Sequence, residues 1–373
     1  MSCDTFGRII DYLRISLTDR CNLRCVYCMP EEGVTALDHK DILRLEEVED
    51  IVKIAAQRGI KHLRLTGGEP LVRKGIVGLI HRLKQIEGIE SIALTTNGIL
   101  LPSMAKELKK AGLDRVNISL DSLDETQYHA ITRRGKLADA LAGIETALNY
   151  GFDPVKINVV AVRHLQQDFA AFARMTLDKP LHVRFIEFMP IGTIEGELPA
   201  AVPAPFKKFE NEKLNDLSKP SSLPNQKKNG IPWSGDDVIS VEEIRKSINK
   251  SLEKEGFGAL VPLGTTMDNP LKEKRPTGWG PATYFKIKGA QGTVGFISAM
   301  SNHFCASCNR LRLTADGKLR PCLFSDNELD IRSVIRKGPE NDIQDVFDEA
   351  LHIKPKEHYH QQGTKRTMSQ VGG

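Results

Sequence analysis

No run of apolar residues in this 373-residue chain approaches the length of a membrane span. The first ten residues lack the basic-then-apolar order of a secretory signal, so a cytoplasmic protein with no membrane partner is expected. A surplus of charge is missing as well. The 52 Lys and Arg stand against 48 Asp and Glu, a formal net charge of +4. That balance argues against a dedicated nucleic-acid binder and leaves room only for a local basic pocket. The even cysteine count of a secreted disulfide scaffold is also absent, for there are seven cysteines. What is present is ample apolar content, 40%, and a length that suits one large domain or one domain plus a smaller one.

The cysteines are not scattered. Cys21, Cys25 and Cys28 stand at C-x3-C-x2-C spacing directly after the apolar stretch Leu13-Arg14-Ile15-Ser16-Leu17. Cys305, Cys308 and Cys322 form a second triplet at C-x2-C-x13-C, and Cys3 is left over as a spare thiol. Clustered thiols in a cytosolic chain read as metal ligands. Each triplet is one short of the four ligands of a closed zinc site or an ordinary cubane. An iron–sulfur cluster with one open iron and a zinc site completed from elsewhere both fit the spacing. For the second triplet, His303 is a candidate fourth zinc ligand.

Between the triplets, short apolar strands alternate with helical periods. Strands are expected at residues 13–17, 62–66, 91–95, 115–120, 155–160 and 183–188, with helices between them and a further helix at 241–254. Six such units make an α/β chain with a parallel sheet, either a partial barrel or an open twisted sheet. The rhythm breaks over residues 199–237, where six prolines and six lysines fall among Asn and Ser, and an exposed insertion is expected. Beyond residue 256 the pattern turns antiparallel, with a hairpin at Asp316-Gly317, and this region is expected to stand apart from the barrel. The expected division is 1–255 and 256–373.

The loop ends of the strands carry unusual residues. Thr66-Gly67-Gly68-Glu69-Pro70 offers close backbone approach and, through Glu69, an acceptor for an amine. Thr95, Ser119, Lys156 and Met189 lie at or near other strand ends. Each alone reads as turn chemistry; together they would converge where α/β barrels bind ligands. Arg14 and Arg64 lie inside apolar strands, where a solvated charge is not expected.

The first triplet, with Tyr27 before its last cysteine and with Gly-Gly-Glu-Pro downstream, resembles the radical S-adenosylmethionine (SAM) superfamily. The stretches Leu13-Arg14-Ile15-Ser16-Leu17-Thr18-Asp19-Arg20, Phe185-Ile186-Glu187-Phe188-Met189-Pro190 and Phe304-Cys305-Ala306-Ser307-Cys308-Asn309-Arg310-Leu311-Arg312, with the Gly372-Gly373 end, resemble one branch, the GTP 3′,8-cyclases of molybdenum cofactor biosynthesis. The resemblance implies a partial (β/α)6 barrel with a C-terminal antiparallel region, and two [4Fe–4S] clusters with SAM as cofactor. It assigns Cys21, Cys25 and Cys28 to the SAM cluster and Cys305, Cys308 and Cys322 to a second cluster facing the purine. Tyr27, Gly68, Glu69, Ser119 and Met189 would contact SAM. Arg14, Arg64, Thr95, Lys156, Arg310, Leu311 and Arg312 would contact GTP, with Arg14, Arg310, Arg312, Gly372 and Gly373 supporting catalysis. The implied reaction abstracts hydrogen from ribose C3′ and joins C3′ to guanine C8, giving 3′,8-cyclo-7,8-dihydro-GTP. An electron donor and a downstream cyclic pyranopterin monophosphate synthase are the implied partners, and a homodimer is compatible. The rival readings are a peptide-modifying radical SAM enzyme with an auxiliary cluster and a zinc-ribbon RNA-binding module.

Overall fold

A computed structural model describes residues 2–34, 37–191, 235–263, 276–338, 340–358, 364 and 366–372. Residues 199–234 of the expected insertion and the terminal Gly373 lie outside the described residues. The insertion's last three residues, Gly235–Asp237, form a short 3-10 turn, and Val238 bridges to Val162.

Six strands pair in parallel in chain order: β1 (Tyr12–Ser16), β2 (His62–Thr66), β3 (Ser91–Thr96), β4 (Arg115–Ser119), β5 (Val155–Ala161) and β6 (Leu181–Glu187). The helices α1 (Leu45–Gln57), α2 (Ile76–Lys84), α3 (Leu101–Lys110), α4 (Glu125–Thr132), α5 (Leu137–Asn149) and α6 (Phe169–Arg174) lie between them in sequence, and α7 (Val241–Lys254) follows. The start of α7 is fixed twice. Ser240 and Glu243 form a reciprocal capping box, and the Val241 amide donates to Glu187 at the end of β6, 2.9 Å away.

The C-terminal part adds β7 (Val261–Pro262), β8 (Thr283–Lys286), β9 (Thr293–Ile297), β10 (Arg310–Leu313), β11 (Lys318–Arg320) and β12 (Leu329–Asp330), with α8 (Ile331–Lys337), α9 (Glu340–His352) and α10 (Met368–Val371). The pairs β7–β8, β8–β9, β10–β11 and β11–β12 are antiparallel, as expected. The expected separation from the barrel is not what is found. β10 pairs parallel with β1, and β9 pairs parallel with β6, making one twelve-stranded sheet. The physical reason is that β1 and β6 are the edges of the parallel set. Their unpaired N–H and C=O groups demand partners, which the distant strands supply. Hydrophobic periodicity carries no information about that pairing.

Side chains alternate across the strands. On one face Leu13, Leu65, Ile92, Leu94, Val116 and Ile118 are fully buried in the core cluster that also takes in residues of the helices. Each such burial contributes about 1.5–3 kcal/mol. On the other face stand Tyr12, Arg14, Arg64, Asn158, Arg184 and Arg312, which all line one cavity, so the sheet curls around it.

Candidate active site

The first cysteine loop leaves β1 and is pinned to its surroundings through its backbone. Arg24 and Val26 amides donate to Thr132 and Ile131 at the end of α4, and the Arg24 guanidinium donates to the Cys21 carbonyl at 2.7 Å. The Gly67-Gly68 pair lies against the lead-in to this loop. A Cβ at Gly68 would sit 2.4 Å from the Arg20 carbonyl, so only glycine permits this approach. Glu69 is 1% exposed, and its carboxylate accepts from the Leu71 and Asn97 amides and the Thr96 hydroxyl. It therefore ties the β2 and β3 loops together. Burial pushes it up to about 7. The thiols behave likewise: burial pushes Cys21 up to about 11 and Cys28 up to about 12. Tyr27 donates to Asp121, whose other oxygen accepts from the Val160 amide at 2.8 Å, and the Tyr27 ring meets Phe188 edge-on at 6.4 Å. That fixes Tyr27 as a wall of the main cavity.

The cavity, about 180 Å³ in volume, is lined by Tyr27, Ser119, Thr95 and Met189 together with arginines. Register sets the charge: Arg14 is the partner of Arg64 on one side and of Arg312 on the other, so three guanidinium-bearing positions share one row. Burial, and then the nearby Arg312, push Arg14 well below its usual range. Burial followed by Arg310 lowers Arg312 to about 10. Among the described residues, the buried Nε of Arg184 and of Arg310 and the buried Nδ2 of Asn117 have no hydrogen-bond partner. Like charges in a row and unspent donors fit a polyanionic ligand with carbonyl and phosphate oxygens. Lys156 points to the same interior, where its Nζ donates to the Thr277 carbonyl at 2.6 Å and burial lowers it to about 6. Leu311 is placed differently. It pairs with Leu13 and belongs to the core on the opposite face, so its side chain lies outside the site.

Cys305, Cys308 and Cys322 line one smaller cavity of about 70 Å³, which shares Met189, Phe304, Arg310 and Arg312 with the main one. Among the described residues, no group of three or more His, Cys, Asp or Glu side chains is arranged to hold a single metal ion. His303 hydrogen-bonds the Ala299 carbonyl and packs on His358. Burial raises Cys305, while at Cys308 burial is outweighed by Lys354 and Arg310, which lower it.

The chain end enters the same place. A Cβ on Gly372 would meet Ser16 Cβ at 2.9 Å and Thr66 Cγ2 at 3.0 Å, and its φ of +76° suits glycine. The Gly372 carbonyl accepts from Arg14 and Arg312, each at 3.3 Å. Arg366 secures the tail through Asp316 and Glu328.

Sequence reasoning missed Arg184, Asn158 and Lys354. Arg184 and Asn158 are register partners whose side chains hydrogen-bond inside the cavity. The available signal was period two: Lys156 and Asn158 share a face of β5, and Arg184 interrupts an apolar strand. Lys354 has no local signal.

Residues 15–175 match the Radical SAM superfamily and residues 262–360 match Molybdenum Cofactor Synthesis C. The chain is 46% identical over 374 residues to the GTP 3′,8-cyclase of Pelotomaculum thermopropionicum, covering 99% of each chain. It is also 46% identical, with the same coverage, to the GTP 3′,8-cyclase of Moorella thermoacetica. In fold it is similar to Streptococcus suis SuiB bound to S-adenosylmethionine, with TM-score 0.52 and 13% identity over 91% of this chain and 65% of that one. The full-length identity to these cyclases, together with the Radical SAM and Molybdenum Cofactor Synthesis C matches, places the chain in the GTP 3′,8-cyclase family of the radical SAM superfamily.

Proposed function

We propose that this chain converts GTP to 3′,8-cyclo-7,8-dihydro-GTP, the first step of molybdenum cofactor biosynthesis, in the cavity between its two cysteine triplets. One observation carries the reading: the main cavity is walled by Tyr27 of the first cysteine loop, shares Arg310 and Arg312 with the second thiol cavity, and has an arginine row between. The enzyme uses SAM and an iron–sulfur cluster. We assign the SAM cluster to Cys21, Cys25 and Cys28, and a second [4Fe–4S] cluster to Cys305, Cys308 and Cys322. Each triplet offers three thiolates, one short of the four ligands of a closed zinc site, which suits a cubane with one open iron.

When bound, the SAM cluster supplies the one-electron chemistry that starts the reaction. The protein's own residues then orient and shield. Tyr27, Ser119 and Met189 hold SAM. Gly68 and Glu69 shape the loop under it. Arg14, Arg64, Arg310 and Arg312 neutralise and aim the nucleotide, with Thr95, Lys156 and the Leu311 backbone beside them. Gly372 fills the gap at the β1 and β2 ends and helps exclude water. Residues 1–255 provide the barrel and 256–373 the second cluster site. Free cysteines suit a reducing cytoplasm, where an electron donor and the downstream synthase would be met. A homodimer is compatible with this arrangement. No described helix is long and apolar enough to cross a membrane.

The deciding experiment is anaerobic incubation with GTP, SAM and dithionite, followed by mass spectrometry. Formation of 5′-deoxyadenosine with a GTP-derived 3′,8-cyclic product is expected. 5′-Deoxyadenosine without that product would point to the peptide-modifying alternative.

A further inference from the structure

Lys354 lies just beyond α9 and is 3% exposed. Its Nζ donates to the Arg310 carbonyl at 2.8 Å and the Pro321 carbonyl at 2.7 Å, and it contacts Cys308 Sγ at 3.6 Å. An ammonium has three N–H groups, and these are the three uses. The partners are not random. One is a thiol of the second triplet, one is the carbonyl two residues after that thiol, and one is the carbonyl immediately before Cys322. A single cation therefore ties together two of the three thiol-bearing segments. Arg8 holds the third: its Nη1 donates to the Cys305 carbonyl at 2.8 Å, while Asp4 fixes its Nε at 2.5 Å.

Lys354 has no carboxylate in an ion pair among the described residues. Burial lowers Lys354, Cys308 and Cys322 oppose that shift, and Arg8 adds a like charge. Burying an ammonium without a counter-ion is costly, so the site is organised around anionic sulfur. A hydrogen bond to a ligating sulfur and a fixed nearby cation both favour the more negative, reduced form of a cluster.

We propose that Lys354 is a positioning residue for the C-terminal cluster that also raises its reduction potential, by donating to Cys308 Sγ and placing a fixed positive charge beside it. This rests on the assignment of a second cluster to Cys305, Cys308 and Cys322.

The test uses the full chain with Cys21, Cys25 and Cys28 all changed to alanine, so that any iron retained belongs to the second triplet. If this chain holds no iron after anaerobic reconstitution, the second-cluster assignment fails, and the proposal with it. If it holds iron, Lys354→Gln and Lys354→Arg are made in the same background. Each is followed by iron content and by the midpoint potential from an electron paramagnetic resonance titration. The expected result is iron retained in both, a potential displaced to more negative values in Lys354→Gln, and a return toward the parent value in Lys354→Arg. An unchanged potential in Lys354→Gln with iron retained would overturn the proposal. Loss of iron from both variants would overturn it too, in favour of a strut that shapes the loops and tunes nothing.

Discussion

The two cysteine triplets have the same ligand count and opposite surroundings. Around the first, burial raises the thiols, and the acidic neighbours Glu69 and Asp121 add to the rise at Cys21 and Cys28. Around the second, burial still raises Cys305, but Lys354 and Arg310 overcome it and lower Cys308. A cluster among carboxylates in a dry site is made a stronger reductant, and one among cations a weaker one. On the proposed assignment, the first environment suits electron delivery to SAM and the second a centre that meets an anionic nucleotide. The lesson is that three thiols define a capacity to bind metal, while the charges behind them define its use.

The comparison breaks most sharply at the ligands themselves. Cys25→Ser is expected to abolish 5′-deoxyadenosine formation, and with it all turnover. Cys308→Ser is expected to retain SAM cleavage and lose the cyclic product. Chromatography of both products from both variants checks this, and identical profiles would erase the distinction between the triplets. Next in size is deletion of Gly372 and Gly373, which removes the carbonyl held by Arg14 and Arg312. Single-turnover cyclisation should fall on the order of 100-fold, the scale of misplaced reacting groups, with iron content and SAM cleavage kept. Equal yields from deletion and parent would make the tail a passive end.

Arg312→Ala sharpens the second region at smaller cost. Losing one charged donor should weaken GTP binding by roughly 1.5–3 kcal/mol. Calorimetry of the anaerobic protein measures it, and an unaltered affinity would remove Arg312 from the nucleotide site. The smallest expected effect is a proton. Lys156 is lowered to about 6 with no anion present, so above that pH the free protein holds it neutral. A bound triphosphate favours the ammonium. GTP binding near pH 7.5 should therefore take up roughly one proton and weaken as pH rises. Calorimetry in buffers of different ionisation enthalpy reads the uptake, which should vanish in Lys156→Met.

The six parallel strands, most helices and both thiol triplets were legible in the sequence because they rest on local periodicity and spacing. The β2 strand was expected at residues 62–66 and is found there, and the hairpin at Asp316-Gly317 joins β10 to β11. Two things were not legible. One is the pairing of β10 with β1 and of β9 with β6, since edge hydrogen bonding leaves no trace in composition. The other is support from afar. Lys354 and Arg8 act on the second triplet from opposite ends of the chain. Arg184 was hidden for another reason: an inward charge in a short strand looks like an interruption until the curl of the sheet turns it toward a cavity.

The sheet closure also has a bearing on biosynthesis. The first strand to emerge from the ribosome finds its outer neighbour only when the last third of the chain has been made, and β6 waits similarly for β9. Until then a nascent parallel sheet has two bare edges, the arrangement most open to mispairing and slow to resolve. The tail that tucks between Ser16 and Thr66 is later still. A truncated chain would thus lack both flanks of its barrel as well as its second cysteine triplet, and its characteristic failure should be aggregation, not a soluble enzyme with half its chemistry.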